Sequence, residues 1–416
     1  MSQPHPRRAA VTGIGVIAPN GLSTDAFWKA TREGISVLGR ITREGCDHLP
    51  LRVAGEVRAF EPATAVEERF LVQTDRFTHF AMAAADSALE DARLGQTATG
   101  EAPFSVGVVT AAGSGGGEFG QRELQQLWGK GSRFVGPYQS IAWFYAASTG
   151  QISIRHGFKG PCSVVAADEA GGLDALAHAA RAVRRGTDVI VAGSTEAPLA
   201  PYSMVCQLGY PELSTEADPD RAYRPFTSAA CGFVPAEGGG MLVVEEEDAA
   251  RERGATVRAV IAGHSATFTG ASCWEESREG LARAIEGALA EAGCAPEEVD
   301  VVFADALGVP EADRAEALAI ADALGGHAKR VPVTAPKTGI GRGYCAAPVL
   351  DAAAAVLAME YGVIPPTPNV FDICHDLDLV TTRARAVELR TALVLSRGLM
   401  GSNSALVLRR GATGAP

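Results

Sequence analysis

The run Arg8-Ala9-Ala10-Val11-Thr12-Gly13 returns later in the chain as Arg258-Ala259-Val260-Ile261-Ala262-Gly263. Each copy is followed, after an insertion, by an Ala-rich helical stretch and another apolar strand. Each series closes on a bounded apolar run, Gly238-Gly239-Gly240-Met241-Leu242-Val243-Val244 in one and Asn403-Ser404-Ala405-Leu406-Val407-Leu408 in the other. Repetition that keeps its order constrains the fold more than any single motif. Around it, β-branched runs at 9–17, 104–109, 163–167, 189–192 and 240–244, then 256–261, 299–303, 331–333, 392–396 and 405–408, read as strands. Amphipathic stretches at 77–93, 172–185, 276–292, 311–324 and 346–361 read as helices. That alternation is the α/β signature. We expect a duplicated α/β fold whose halves, 1–250 and 251–416, pack face to face around helices. The turns after 163–167 and 331–333 then occupy related places, so residues 169 and 337–342 are expected to meet at one site.

Bulk properties narrow the function. With 416 residues and 47% hydrophobic content the chain can bury a large core, and its 47 glycines form no Gly/Ser linker. A net charge of −12 argues against a surface that tracks nucleic-acid phosphates. No apolar run approaches the roughly 18 residues of a membrane span. The opening Met1-Ser2-Gln3-Pro4-His5-Pro6-Arg7-Arg8 lacks the apolar stretch of a signal peptide, so a cytoplasmic address is expected. The eight cysteines show no Cys-x-x-Cys pair and no metal spacing, which predicts buried free thiols, no metal and no disulfide. The glycines of 13–21 have the wrong spacing for a dinucleotide loop, and no cofactor is expected.

One stretch has the form of a nucleophile elbow: Val164-Val165-Ala166-Ala167-Asp168-Glu169-Ala170-Gly171-Gly172-Leu173-Asp174. A small-residue strand runs into a glycine turn that opens a helix. The elbow carries Glu169 in place of a serine or a thiol.

Val11-Thr12-Gly13-Ile14-Gly15, Arg224-Pro225-Phe226, Gly232-Phe233-Val234-Pro235-Ala236-Glu237-Gly238-Gly239 and Pro336-Lys337-Thr338-Gly339-Ile340-Gly341 resemble β-ketoacyl synthases. Ala142-Trp143-Phe144-Tyr145, Thr149-Gly150-Gln151-Ile152-Ser153-Ile154-Arg155-His156-Gly157, Ala170-Gly171-Gly172-Leu173-Asp174-Ala175-Leu176 and Val301-Val302-Phe303-Ala304-Asp305-Ala306 more closely resemble one branch of them. That branch is the chain-length factor, the ketosynthase-β subunit of aromatic type II polyketide synthases. The resemblance runs from about residue 8 to residue 410 and implies a thiolase-like fold of five layers, α-β-α-β-α.

Carried over residue by residue, the resemblance puts Glu169 at the nucleophilic cysteine, Asp305 at the first catalytic histidine and Arg342 at the second. Lys337 stays in register. Condensation requires a thiolate to hold the acyl chain and imidazoles to stabilise the developing oxyanion. Two carboxylates and a guanidinium do neither, so no independent condensing activity is expected. Glu169, Asp305, Lys337 and Arg342 are two anions and two cations, and if they converge they form a neutral plug in which each buried charge has a partner. A carboxylate at the start of a helix is also favoured by the dipole. Many chain-length factors carry glutamine at the Glu169 position, which has been linked to malonyl decarboxylation. The alternative reading is therefore a malonyl-carrier-protein decarboxylase or unorthodox acyltransferase using Glu169. Glu169 would need its proton for that, and neighbouring Arg342 or Lys337 would oppose it. Cys162, Cys231, Cys345 and His264 are the candidates for a displaced nucleophile, but none sits on the elbow, and buried packing is expected for the thiols.

The resemblance implies a heterodimer with a catalytic ketosynthase-α subunit, served by an acyl carrier protein, with the poly-β-keto chain in a tunnel at the interface. Val164 and Val165 of the strand before the elbow, with Trp143, Phe144 and Tyr145, are the expected interface. Gly117, Gly120 and Leu124 are the expected chain-length gate; as two glycines and a leucine they leave room for a comparatively long product. Phe119, Phe134 and Tyr138 are further candidates for the tunnel lining. A pure scaffold without influence on product length shares the same elbow and stays open.

Overall fold

The computed structural model describes residues 7–94, 104–270 and 273–411. Residues 1–6, part of the segment read above for a leader, lie outside the described residues.

Ten strands carry the fold. The first five are β1 (Ala9–Ile17), β2 (Val106–Ala111), β3 (Cys162–Val165), β4 (Val189–Glu196) and β5 (Gly238–Glu246). The second five are β6 (Ala259–Phe268), β7 (Val301–Phe303), β8 (Pro332–Thr334), β9 (Thr391–Arg397) and β10 (Ser402–Arg410). In space the first set runs β1-β5-β4-β2-β3 and the second β6-β10-β9-β7-β8, the same order. The polarities also match: β1/β5, β5/β4, β6/β10 and β10/β9 are antiparallel, and β4/β2, β2/β3, β9/β7 and β7/β8 are parallel. The expected duplication is therefore present in the topology.

The two copies of the repeated run pair with each other. Ala9 faces Ile261, Ala10 faces Val260 and Val11 faces Ala259, so Ala10 and Val260 lie at the centre of a local two-fold arrangement. This antiparallel junction joins all the strands, with the short strand Asp378–Leu379 beyond β8, into one eleven-stranded ladder. The glycine ending each copy has the same job. A Cβ on Gly13 would lie 2.1 Å from the Ala88 carbonyl, and one on Gly263 would lie 2.2 Å from the Ala288 carbonyl. Each glycine lets an outer helix, α1 (Arg76–Asp91) or α6 (Trp274–Ala292), rest directly on its strand.

Between α1 and α6 in the chain come α2 (Gly117–Lys130), α3 (Ala147–His156), α4 (Gly171–Arg184) and α5 (Pro201–Gln207); after α6 come α7 (Pro310–Leu324) and α8 (Ala346–Tyr361). Strand periodicity sorts side chains between faces. Leu242 and Val244 of β5 and Ala392 and Val394 of β9 share one core with α4 and α8. Their neighbours face outward, Met241 and Val243 towards α1 and α3, Leu393 and Leu395 towards α6 and α7. The result is the expected five layers. Helix α8 is almost wholly alanine and other small or apolar residues, which permits burial on every side.

All ten expected strands are present, with shifted ends. The largest shift is β6, expected at 256–261 and found at Ala259–Phe268. Its second half alternates polar and apolar positions along a half-buried face, so the apolar run ends before the strand does. The cysteines correct one expectation. All eight are unbridged, but only Cys46, Cys294 and Cys345 are buried. Cys162 sits on the outermost strand of its half, where one side is uncovered, and Cys231 sits in a surface loop. No helix among the described residues is long and apolar enough to cross a membrane.

Candidate functional site

β3 ends at Val165, and the chain turns through 166–170 into α4. The left-handed residue of the turn is Asp168 (φ 53°), not a glycine. Aspartate tolerates this region better than most residues, because its short polar chain bonds locally. Gly171 and Gly172 serve packing instead: a Cβ on Gly172 would lie 2.1 Å from the Cys345 carbonyl just before α8. The elbow and its counterpart in the other half thus touch through bare backbone.

Asp168 and Glu169 both reach the turn between β9 and β10. Glu169 Oε2 accepts a hydrogen bond from the Leu399 amide at 2.8 Å, and Asp168 Oδ2 accepts one from the Met400 amide at 2.7 Å. Gly398 makes this approach possible, since a Cβ there would lie 2.0 Å from Asp168 Oδ2. Cys345 Sγ donates to the Asp168 carbonyl at 2.8 Å. Burial pushes the Glu169 carboxyl up to about 8; Arg342 counteracts this and Asp168 adds to it. Burial thus favours the protonated form of Glu169.

The four positions expected to form one plug separate into three groups. Arg342 donates to Asp305 Oδ1 at 2.8 Å, both side chains being buried. The Lys337 ammonium pairs with Asp351 of α8 at 2.5 Å and donates to the carbonyls of Ala304 and Asp305 at 2.9 and 3.1 Å. Glu169 has no ion-pair partner among the described residues, which corrects the expectation that every buried charge in the set is matched within it. Arg342 points instead to Asp305 and donates to the Arg397 carbonyl at 2.5 Å. Glu169 also lies outside the first turn of the helix, since α4 starts two residues later, and desolvation is the largest influence on its carboxyl.

The network recruits residues that motif reading missed. Arg397 lies 3.4 Å from Asp305 and 3.1 Å from Glu316, and the Glu316 carboxylate accepts from the Asp305 and Ala306 amides. Burial pushes Asp305 up, but Arg342, Arg397 and Lys337 outweigh it and hold this carboxyl below its usual range. Burial raises Glu316, with Arg397 opposing and Asp305 adding to the rise. Asp351 is raised to about 6 by burial, against Lys337. Ala306, next to Asp305, keeps a left-handed backbone (φ 53°).

A cavity of about 420 Å³ opens beside the elbow, lined by Asp168, Glu169, Ser114, Gly117, Tyr344 and Cys345 among others, with Trp143 and Tyr145 at its side. Of the gate candidates, Gly117 lines it. A Cβ on Gly120 would face Trp143 at 3.2 Å instead. Leu124, Phe134 and Tyr138 are exposed, as are Trp143, Phe144 and Tyr145. Phe119 is buried in a separate pocket of about 110 Å³ with Asp75, His79 and Arg122. Val164 and Val165 are half-buried on β3, the end strand of the ladder.

No displaced catalytic group emerges. Burial and nearby carboxylates, Glu196 first, hold the Cys345 thiol well above its usual range, the opposite of an activated nucleophile. His264 uses the same Nε2 towards Asp174 at 2.9 Å and Ser404 at 3.0 Å, so it does not relay between a base and a nucleophile through its two nitrogens. No cluster of three or more metal-ligating side chains occurs among the described residues.

The chain matches the beta-ketoacyl synthase N-terminal domain over residues 7–250 and the C-terminal domain over residues 258–371. It is 78% identical over 406 residues to a Streptomyces coelicolor protein provisionally named polyketide beta-ketoacyl synthase 2, covering 98% of this chain and 96% of that one. It is 51% identical over 414 residues to the tetracenomycin polyketide synthase ketoacyl synthase beta subunit of Streptomyces glaucescens, covering 99% and 100%. Among solved structures, the ishigamide ketosynthase/chain length factor superposes with a TM-score of 0.91 at 27% identity, covering 98% of this chain and all of that one. On these matches the chain belongs to the beta-ketoacyl synthase family, among the ketosynthase-beta subunits, or chain-length factors, of type II polyketide synthases.

Proposed function

We propose that this chain is the non-catalytic, chain-length-determining partner of a catalytic ketosynthase in iterative polyketide synthesis, working as a cytoplasmic complex. The observation that carries the reading is the combination of a thiol-free elbow and a retained cavity. By the family resemblance Glu169, Asp305 and Arg342 stand at the positions of the cysteine and two histidines, and Asp305 and Arg342 are tied into a buried charge network. Beside it, the 420 Å³ cavity extends towards the exposed aromatic face. A solved structure of the same fold, a type II acyl-carrier protein in complex with its ketosynthase bound to the hexaketide (TM-score 0.87, 27% identity), supports a carrier protein as the third party.

The test is co-expression with a catalytic ketosynthase of a type II system, native mass spectrometry, and addition of malonyl-loaded carrier protein. We expect a one-to-one complex that makes polyketide and an isolated chain that makes none. A homodimer that condenses malonyl units alone would overturn the reading.

One observation favours the second reading, decarboxylation. A neutral Glu169 on the cavity wall has a proton to donate to an enolate oxygen, which an ionised carboxylate lacks. Carbon dioxide release from malonyl-carrier protein by the complex, compared with Glu169→Ala and Glu169→Gln, separates the two. Release that Gln keeps and Ala loses assigns the step to Glu169; equal release in all three removes it.

A further inference from the structure

We propose that the pocket between the starts of α1 and α2 binds a small carboxylate anion, held by Arg122 and His79. The pocket is separate from the cavity beside the elbow and shares no lining residue with it. Helix α2 gives Gly117 to the cavity, and Glu118, Phe119 and Arg122 to the pocket.

The pocket of about 110 Å³ is walled on its other side by Asp75, Arg76 and His79, with Pro62 and Leu71 closing it. That is room for several waters or one small organic anion. His79 is the side chain that calls for a ligand. It is 8% exposed, and neither ring nitrogen has a hydrogen-bond partner among the described residues. Buried polar groups are nearly always paired, so an orphaned imidazole needs an explanation. Burial, with Arg76 and then Arg122 adding to it, pushes this imidazole down to about 4. The ring is therefore neutral, with one N–H donor and one bare nitrogen. A half-turn about its Cβ–Cγ bond exchanges the nitrogen and carbon edges without changing its outline, so it can turn a donor to the pocket.

The two arginines differ in what they have left to offer. Arg76 is committed to Glu237 at 3.0 Å and to the Val57 carbonyl at 2.7 Å. Arg122 lies over the Phe119 ring, 4.6 Å from its centre, and the one carboxylate within ion-pair reach is Glu123 at 4.0 Å. Its guanidinium makes no hydrogen bond among the described residues. Asp75, the acid inside the pocket, is already used: it accepts from the Phe77 amide at 3.1 Å and the Phe119 amide at 2.7 Å, tying the two helix starts together. Burial also pushes Asp75 up to about 7, which reduces its repulsion of a bound anion. The fork of a guanidinium matches the two oxygens of a carboxylate, and a single imidazole N–H completes the set. Pro62, Leu71 and Phe119 suit a short hydrocarbon part. A phosphate dianion would ask for more donors and would bring more charge against Asp75 and the exposed Glu118.

The experiment uses the complex with a catalytic ketosynthase and takes acetate as the probe, with inorganic phosphate at matched ionic strength for comparison. Binding is read by saturation-transfer NMR on the acetate methyl and by the imidazole signals of the isotope-labelled histidines. We expect saturable binding that moves one histidine signal, a signal missing from His79→Leu. Arg122→Gln and His79→Leu should each weaken acetate by about tenfold or more, the worth of a hydrogen bond to a charged group. His79→Gln keeps a donor and should retain most of the affinity; binding no better than in His79→Leu would overturn the hydrogen-bonding role of His79. The Arg122 side chain is 57% exposed, so Arg122→Gln carries the test should His79→Leu not fold. Acetate that never saturates, or that binds Arg122→Gln as well as the unmodified complex, would overturn the site. Phosphate bound as tightly as acetate would overturn the ligand class.

Discussion

A carboxyl group moved from water into the elbow loses its hydration, and at Glu169 the Leu399 amide is a poor replacement for it. The neighbouring Asp168 carboxylate makes ionisation harder still. The consequence has a definite sign. Between the ordinary value of 4.5 and about 8 the folded chain keeps a proton that the unfolded chain has lost. Stability therefore falls by about 1.4 kcal/mol per pH unit across that window and is insensitive to Glu169 outside it. Glutamine keeps the shape and the acceptor but cannot ionise. Glu169→Gln is expected to match the wild type near pH 5 and to exceed it by several kcal/mol near pH 8.5, measured by denaturant unfolding at each pH. Parallel curves would mean that Glu169 is ionised throughout. The position of a carboxylate at the elbow was legible in the motif, but its charge state was not. The motif suggested Arg342 or Lys337 as its neighbouring cation, whereas Arg342 is committed to Asp305 and Lys337 to Asp351 by contacts formed only in the folded chain.

At the scale of elements, the strands were legible because β-branched runs and bounding glycines mark them locally, and the repeated run even pairs with its own copy. The charge network was not legible for the opposite reason. Asp351 lies in an alanine-rich helix and Glu316 on a helix with other acids, where a charge reads as an exposed face, and Arg397 ends a strand. Only the meeting of β7, β9, α7 and α8 makes them partners. The turn 398–401 illustrates the same point: two amides of one hairpin are held by two acidic side chains from the other half of the chain. Gly398 is obligatory there because Asp168 lies where its side chain would be. We expect Gly398→Ala to cost about 1–3 kcal/mol, the usual range for overpacking a filled site. Asp168→Gly removes the obstructing carboxylate and suits the left-handed backbone, so Gly398→Ala should cost less in that background. Additive losses in a double-mutant cycle of melting temperature would show that the contact does not bind the turn.

For the whole molecule, what decides function is where the two pseudo-symmetric halves, which we propose meet between residues 250 and 251, leave apolar surface uncovered. The first half ends its ladder on β3, with no further strand beyond it among the described residues, and the cavity lies beside that edge. On the same side Trp143 is 52% exposed, Phe144 45%, Tyr145 39% and Ile154 62%, in a chain with only 6% aromatic residues. Large side chains concentrated at a strand edge have the composition of an interface core rather than of ordinary surface. A catalytic ketosynthase of the same fold has a matching edge to offer, so the contact would be a pseudo-symmetric one that places the partner against the cavity mouth. Trp143→Glu and Ile154→Glu put charges on this face without touching the buried core. Each is expected to weaken the complex by about 2 kcal/mol or more, roughly 30-fold in Kd, while the melting temperature of the separated chain stays within a degree or two. Product formation should fall in step with complex formation when the partner is dilute and recover as its concentration is raised. Full assembly by both variants at nanomolar partner would move the interface to another face of the molecule, and the cavity would then need a different route for the chain to enter it.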